Sequence, residues 1–313
     1  MDKIRTGVIG VGHLGRVHAR IYKELMGTKL VGVVDSFAKS AEEIGQMYGV
    51  PWYTDINRFI EEQKPEAISV VVPTVAHFDV ASKLARQGIH LLVEKPVTST
   101  VEQASNLLEI AHDKNIVLQV GHVERFNGAI RYVSEKISDA PLCIQSRRQG
   151  PFSSRIGDVG VVLDLMIHDI DIILSLVKSK IVSIRAMGRK IRSNHEDLAL
   201  AQIAFESGTI ADIQVSRVAE RRLRQMDVMD ADRYYSVNFE TQDVVVHQAR
   251  TSPEGGMIEV IEHPLLPKLE PLKQELSHFL SCIREGRQPL VGIDDGKRAL
   301  SVAVEILKQI EGN

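Results

Sequence analysis

The apolar run Gly7-Val8-Ile9 passes straight into Gly10-Val11-Gly12-His13-Leu14-Gly15, and an amphipathic stretch follows. Glycines at that spacing commit the chain to a strand, a tight turn and a helix, in that order. A second apolar run then ends on Asp35, 20 residues beyond Gly15. Such a turn lets backbone N–H groups approach a pyrophosphate, which rests on the positive end of the helix beginning near Leu14. An acid ending the second strand accepts hydrogen bonds from the adenosine ribose hydroxyls. The arrangement reads as a dinucleotide site, with Gly10, Gly12, His13, Leu14, Gly15 and Asp35 as cofactor contacts. Asp35 repels a 2′-phosphate, so the expected cofactor is NAD; Ser36 and Lys39 are the nearby residues able to contact a phosphate.

Through the first third, β-branched runs alternate with helical patterns. Strands are expected at Ile4 to Ile9, Leu30 to Asp35, Ala67 to Val72, His90 to Glu94 and Val117 to Val120. Apolar strands separated by helices imply a parallel sheet covered on both faces, with ligands outside the carboxyl ends of its strands. That rule turns Asp35, Val72-Pro73-Thr74, Glu94-Lys95-Pro96 and Gly121-His122 toward one crevice.

From about Val123 the rhythm changes. A helix over Asn127 to Ile137, a strand over Leu142 to Gln149 and a helix after Gly160 are followed by strand-like runs from Ile181 to Ile261. Glu206-Ser207-Gly208 reads as a hairpin turn, and successive hairpins imply a mostly antiparallel sheet. Two helices, near Pro271 to Glu285 and Gly296 to Ile310, close the chain. The expected fold class is α/β plus α+β. An N-terminal Rossmann dinucleotide-binding domain occupies residues 1–122, and a C-terminal substrate-binding and oligomerisation domain on a large, mostly antiparallel sheet occupies 123–313.

Composition narrows the partners. At 313 residues two domains are natural, and a formal charge of −3 provides no basic field for nucleic acid or an anionic membrane. The start runs directly into the first strand, so no signal peptide is expected. Cys143 and Cys282 match no metal spacing and read as reduced structural thiols. The longest apolar stretch, around Val159 to Val177, is interrupted by Asp164, His168, Asp169 and Asp171. A cytoplasmic enzyme acting on a small molecule is expected.

Two further patterns carry chemistry. Glu94-Lys95-Pro96 ends a buried strand at the crevice, where Lys95 is held partly desolvated and easily shifted in protonation; a lysine after a strand is also an ordinary solvated loop residue. In Asp164-Leu165-Met166-Ile167-His168-Asp169-Ile170-Asp171, a helix sets Asp164, His168 and Asp171 on one face. A carboxylate beside an imidazole fixes its tautomer and supports a base near neutral pH. The spacing also describes a surface pair, or metal ligands, a reading that lacks a partner cluster elsewhere in the sequence.

Together these motifs resemble the glucose–fructose oxidoreductase, inositol dehydrogenase and rhizopine catabolism family, Gfo/Idh/MocA. The resemblance runs the length of the chain: Gly10 to Gly15, Val72-Pro73-Thr74 with His77, Glu94-Lys95-Pro96, Gly121-His122-Val123-Glu124-Arg125-Phe126, and Asp164 with His168. It implies a NAD-dependent sugar dehydrogenase whose catalytic group is Lys95, Asp164 and His168. It also implies that Pro73, Thr74, His77, Glu94, Lys95, His122 and Arg125 join the cofactor contacts. In the implied reaction a base removes a hydroxyl proton as hydride leaves the same carbon for nicotinamide. His168 is the leading base, Asp164 its orienting partner and Lys95 a donor to the hydroxyl oxygen; the roles of Lys95 and His168 are open to exchange. Met166 stands where many relatives carry glycine, which leaves the three polar residues in place. Relatives pair subunits through the second sheet, so a homodimer or homotetramer is implied.

Gly121 to Asn127 and Asp164 to Asp171 most resemble the branch of the family that oxidises the 3-hydroxyl of UDP-N-acetylglucosamine to a ketone. Arginine matches a diphosphate through paired hydrogen bonds. The candidates are Arg148, Arg155, Arg217 and Arg221, with Arg222 and Arg224 in the same run, although each is also an ordinary surface arginine. With Lys95, Asp164 and His168 they form the expected substrate contacts. A free sugar or inositol-like polyol is the alternative substrate, and a non-catalytic dinucleotide-binding regulator the alternative from another class. Lys95 and His168 are present and no DNA-binding module is appended, so the expectation is an enzyme without nucleic acid, membrane or metal partners.

Overall fold

The alternation of β-branched runs and amphipathic helices builds a parallel sheet of six strands. The computed structural model describes residues 3–137, 141–153, 159–252 and 256–312. The chain divides into two units, Met1–Val123 with Leu272–Lys297, and Glu124–Pro271 with Arg298–Asn313.

In the first unit, β1 (Ile4–Ile9), β2 (Thr28–Val34), β3 (Trp52–Tyr53), β4 (Ala67–Val70), β5 (His90–Glu94) and β6 (Leu118–Gly121) lie in the order β3-β2-β1-β4-β5-β6. That is the doubly wound order of dinucleotide-binding sheets, and its reversal between β1 and β4 opens a crevice at the strands' carboxyl ends. Helices α1 (Gly15–Glu24), α2 (Ala38–Tyr48), α3 (Ile56–Gln63), α4 (Thr74–Ala85) and α5 (Val101–Asp113) connect the strands. The sequence reading contained neither β3 nor α3. Phe59 of α3 is fully buried over Gly7 and Gly32, where any Cβ would meet its ring. Glycine within a strand marks this kind of close approach.

The second unit begins with α6 (Gly128–Lys136), β7 (Cys143–Gln149) and α7 (Ile167–Leu176). It continues with β8 (Ile181–Arg189), β9 (Leu198–Phe205), β10 (Ile210–Ser216), β11 (Leu223–Met229), β12 (Arg233–Asn238), β13 (Asp243–Thr251) and β14 (Met257–Glu262). The strand order is β14-β13-β12-β11-β7-β10-β9-β8, antiparallel throughout except where β7 meets β10. The hairpin between β9 and β10 closes at Gly208, whose φ of 85° suits a residue without a Cβ. Alternate residues such as Ala199, Ala201, Ile203, Ile213 and Val215 face a core shared with α6 and α7. The opposite face presents Met187, Leu200 and Ile210 to solvent.

The closing helices α8 (Pro271–Glu285) and α9 (Ile293–Glu311) correct the expected division into 1–122 and 123–313. Leu276, Phe279 and Leu280 of α8 share an apolar cluster with Ile4, Tyr22 and Leu30, and Gln119 donates to the Glu275 carbonyl at 3.1 Å. The apolar stripe of α8 thus completes the first unit rather than the second. Ala299, Val302, Ala303 and Ile306 of α9 belong to the second core. Among the described residues no helix is long and apolar enough to cross a membrane. Cys143 and Cys282 are free thiols, and burial pushes the ionisation of each upward.

Candidate active site

The three glycines of the β1–α1 turn act differently. Gly10 has a φ of 85°, and a Cβ there would run into the Val71 carbonyl. A Cβ on Gly15 would run into the Gly10 carbonyl, whereas one on Gly12 would meet nothing within 4 Å. One glycine turns the chain, one brings helix against strand, and the middle one leaves bare backbone where a pyrophosphate lies in dinucleotide folds. No side chain among the described residues caps α1, and Gly12, His13 and Leu14 are exposed. Arg16 N and Val17 N already donate to the Gly12 and Leu14 carbonyls, so among the described residues it is the exposed N–H groups of Gly12, His13 and Leu14, just ahead of the helix, that remain available to an anion. Asp35 accepts from Val11 N at 2.8 Å and Phe37 N at 2.9 Å, which fixes its carboxylate at the end of β2 with lone pairs to spare for ribose hydroxyls.

Pro73 caps α4 and Thr74 opens it, just beyond the end of β4. His77 does not fit the role of cofactor contact expected for it. It is 1% exposed, with Nδ1 at 2.7 Å from the Pro96 carbonyl and Nε2 at 2.8 Å from the Val72 carbonyl. Burial lowers its pKa against the pull of both carbonyls. Its place is that of a brace between the Val72-Pro73-Thr74 and Glu94-Lys95-Pro96 turns.

Glu94 is buried, with Oε1 at 3.3 Å from His18 Nε2. His18 Nδ1 lies 3.0 Å from Ser69 Oγ, which lies 2.8 Å from the Tyr22 hydroxyl. Burial raises the pKa of Glu94, but the His18 hydrogen bond and the charge of Lys95 outweigh it and hold the carboxyl below its usual range. Burial pushes Tyr22 upward, so it keeps its proton. Ser69 thus links the Tyr22 hydroxyl to His18, whose other ring nitrogen faces Glu94. Lys95, half-buried, follows β5, and buried His122 follows β6, two strands paired at Glu94 and Gly121.

In the second unit, Asp164 lies in a π turn, Val162–Met166, that leads into α7, where a continuous α-helix was expected. Such turns recur at functional sites. Glu196 holds its start: its carboxylate accepts from Val162 N at 3.0 Å and its carbonyl from Val161 N at 3.0 Å. A Cβ at Gly160 would enter that carboxylate. His168 follows on α7, half-buried like Asp164.

Several expected ligands are tied to carboxylates inside the protein. Asp171, expected on one face with Asp164 and His168, is buried beside Arg125, whose Nη1 lies 3.4 Å from its Oδ1. Arg148 is 2% exposed. Its Nε and Nη2 donate to Asp169 at 3.1 and 3.0 Å, its Nη1 to Glu124 at 2.8 Å, and Phe239 lies 4.8 Å beneath the guanidinium. Burial pulls its pKa down, but the two carboxylates more than reverse that. Arg217 donates to Asp197 at 2.7 Å, to the Val159 carbonyl at 2.9 Å and to Ser193 at 2.7 Å. Asp197 also accepts from the N–H groups of Ile191, Arg192 and Ser193. Burial raises its pKa, yet these donors hold it far below the usual carboxylate range. Arg221 is exposed, and Arg155 lies outside the described residues.

A cavity of about 390 Å³ within this unit is lined in part by Arg148, Ser153, Asp164, Arg217, Arg222 and Arg224. Glu196 was missed by sequence reasoning, since an acid in a polar loop carries no signal of what it caps. Among the described residues no three His, Cys, Asp or Glu side chains gather to hold a metal.

Both units match known families. Residues 4–122 match the Gfo/Idh/MocA oxidoreductase family with its NAD-binding Rossmann fold, and residues 119–237 match the Gfo/Idh/MocA C-terminal domain. The chain is 34% identical over 312 residues to UDP-N-acetylglucosamine 3-dehydrogenase of Acidithiobacillus ferrooxidans, covering 99% of this chain and 98% of that protein. A solved structure of that dehydrogenase superposes with a TM-score of 0.93, covering 100% of this chain and 99% of the other. The scyllo-inositol 2-dehydrogenase (NAD(+)) of Bacillus subtilis is 28% identical, covering 96% of this chain and 92% of that protein. The chain belongs to the Gfo/Idh/MocA family of oxidoreductases, and NAD is the cofactor of its Rossmann unit.

Two outcomes follow from this geometry. Calorimetry should find NAD(H) bound at least about 10-fold more tightly than NADP(H), a preference reduced in Asp35→Asn; tighter NADP(H) binding contradicts the role given to Asp35. Arg148→Ala strands Glu124 and Asp169 as buried, uncompensated charges, so chemical denaturation should show a loss of about 3–5 kcal/mol. A loss within experimental error would mean the triad carries no stability.

Proposed function

We propose that this chain is a NAD-dependent dehydrogenase that oxidises the 3-hydroxyl of UDP-N-acetylglucosamine to the 3-keto sugar. The observation that carries this reading is the cavity of the second unit, where Asp164 shares the walls with arginine side chains. Full-length similarity to a UDP-N-acetylglucosamine 3-dehydrogenase supports the same substrate. Bound NAD⁺ supplies the acceptor for the hydride that leaves the sugar carbon. His168 takes the hydroxyl proton, Asp164 holds the imidazole in the tautomer that accepts it, and Lys95 donates to the hydroxyl oxygen.

A free sugar or inositol is the second reading, favoured by the similarity to scyllo-inositol 2-dehydrogenase. Subunits pair, in our reading, through the open face of the second sheet, where Met187, Leu200 and Ile210 are exposed. The reduced state of both thiols fits a cytoplasmic setting.

NAD⁺ reduction measured with UDP-N-acetylglucosamine, other nucleotide sugars, inositol and free sugars, with a coupled step removing ketone, should give the highest kcat/KM for UDP-N-acetylglucosamine. A higher value for inositol or a free sugar selects the second reading. In the same assay His168→Asn should lower turnover by about 100-fold or more while NAD(H) affinity barely changes. Near-normal turnover transfers the role of base to Lys95.

A further inference from the structure

Four arginines border the cavity that holds Asp164, and their surroundings separate them. Arg148 and Arg217 spend their donors on Asp169, Glu124 and Asp197 inside the protein. Arg222 is exposed, with Nε at 3.0 Å from Glu240. Arg224 differs from all of them. It is half-buried on β11, and among the described residues its guanidinium has neither a hydrogen-bond acceptor nor a carboxylate partner.

Its direction follows from the sheet register. Arg224 stands opposite Arg148 across the antiparallel pair β11–β7, and residues directly opposite project to the same face. It also shares parity with buried Met226 and Val228, so it points to the side that α6 and α7 cover, where the cavity lies. Two guanidinium groups side by side repel. Arg148 hydrogen-bonds two carboxylates directly, whereas Arg224 is in ion-pair contact with none among the described residues. Burial, then the charges of Arg148 and Arg222, outweigh the more distant Glu124 and Glu240 and destabilise the charged form of Arg224. The carboxylates of Asp164 and Glu220 line the same cavity without approaching Arg224 to ion-pair distance.

We propose that Arg224, supported by Arg222, is the anion-binding subsite of this cavity and takes the diphosphate of the nucleotide sugar. This assignment rests on the nucleotide-sugar reading above and replaces Arg148 and Arg217, which sequence alone had favoured. A phosphate supplies the acceptors that a partly buried guanidinium lacks, and a guanidinium fork binds two of its oxygens at once. Asp164 on the same wall places the diphosphate within one cavity of the group that orients the base. The two internal arginines hold the walls, and the unpaired one reads the ligand.

The test is calorimetric binding of UDP and of uridine to the parent enzyme, Arg224→Met and Arg224→Lys, with NAD⁺ binding as the control for a folded first unit. Methionine keeps much of the volume of the side chain without its charge. Arg224→Met should weaken UDP binding about 10- to 150-fold, the loss of a charge-assisted contact, and Arg224→Lys should fall between it and the parent. Uridine, which has no phosphate, should bind the three proteins alike. Equal UDP affinity in parent and Arg224→Met overturns the subsite and leaves the nucleotide-sugar reading standing. A parent enzyme that binds no UDP overturns both. If Arg224→Met does not fold, Arg224→Lys decides, since a lysine that binds UDP as tightly as the parent refutes recognition by a guanidinium fork.

Discussion

Everything in the second unit that bears on chemistry depends on the buried contact of Arg148 with Asp169 and Glu124. Burying a charge without a partner costs several kcal/mol per ion, so the three groups hold one another in a single geometry. The two-pronged bond from Arg148 to Asp169 fixes both the rotation and the height of α7 against β7. His168 is the residue before Asp169, so whatever fixes one fixes the other. Arg125 and Asp171 repeat the arrangement two residues further along the helix. At the other end, Glu196 holds the π turn of Asp164, and the adjoining Asp197 is clamped by Arg217 and three backbone N–H groups. The expected catalytic pair sits between two electrostatic anchors.

The first unit reaches its rigidity by other means. Among the described residues its cofactor turn contains no charge pair; glycine contacts and the hold of Asp35 on Val11 shape it. Beneath the Glu94-Lys95-Pro96 turn runs a buried polar line from Tyr22 through Ser69 to His18, whose Nε2 faces Glu94 at 3.3 Å. It sets an ionised carboxylate next to Lys95, whereas His77 ties that turn to the one ending β4. The residues expected to handle the proton and those expected to place the cofactor thus share the same strand ends.

Much of this was legible in the sequence, because strand ends in a parallel sheet gather at one edge. Gly10 to Gly15, Asp35 and Lys95 could be placed from spacing alone. The fate of the arginines could not, since whether a guanidinium is paired depends on residues 20 or more positions away in the chain, such as Arg148 with Asp169 and Arg217 with Asp197. A signal did exist: Asp169 and Asp171 interrupt an otherwise apolar helix, and buried acids demand counter-ions. Helix α8 was assigned to the wrong unit because an amphipathic stripe states that a face will be buried without saying against which sheet. Helix α3 was announced only by Gly7 and Gly32, the hollows that receive Phe59.

The central claim is chemical: a secondary alcohol at the sugar's third carbon becomes a ketone while the diphosphate stays intact. Treating UDP-N-acetylglucosamine with the enzyme and NAD⁺, trapping the product with borodeuteride and locating the label by NMR tests it directly. The account predicts an intact UDP-sugar carrying deuterium at C3. Label at another carbon, or a nucleotide sugar that takes up no deuterium, would contradict it.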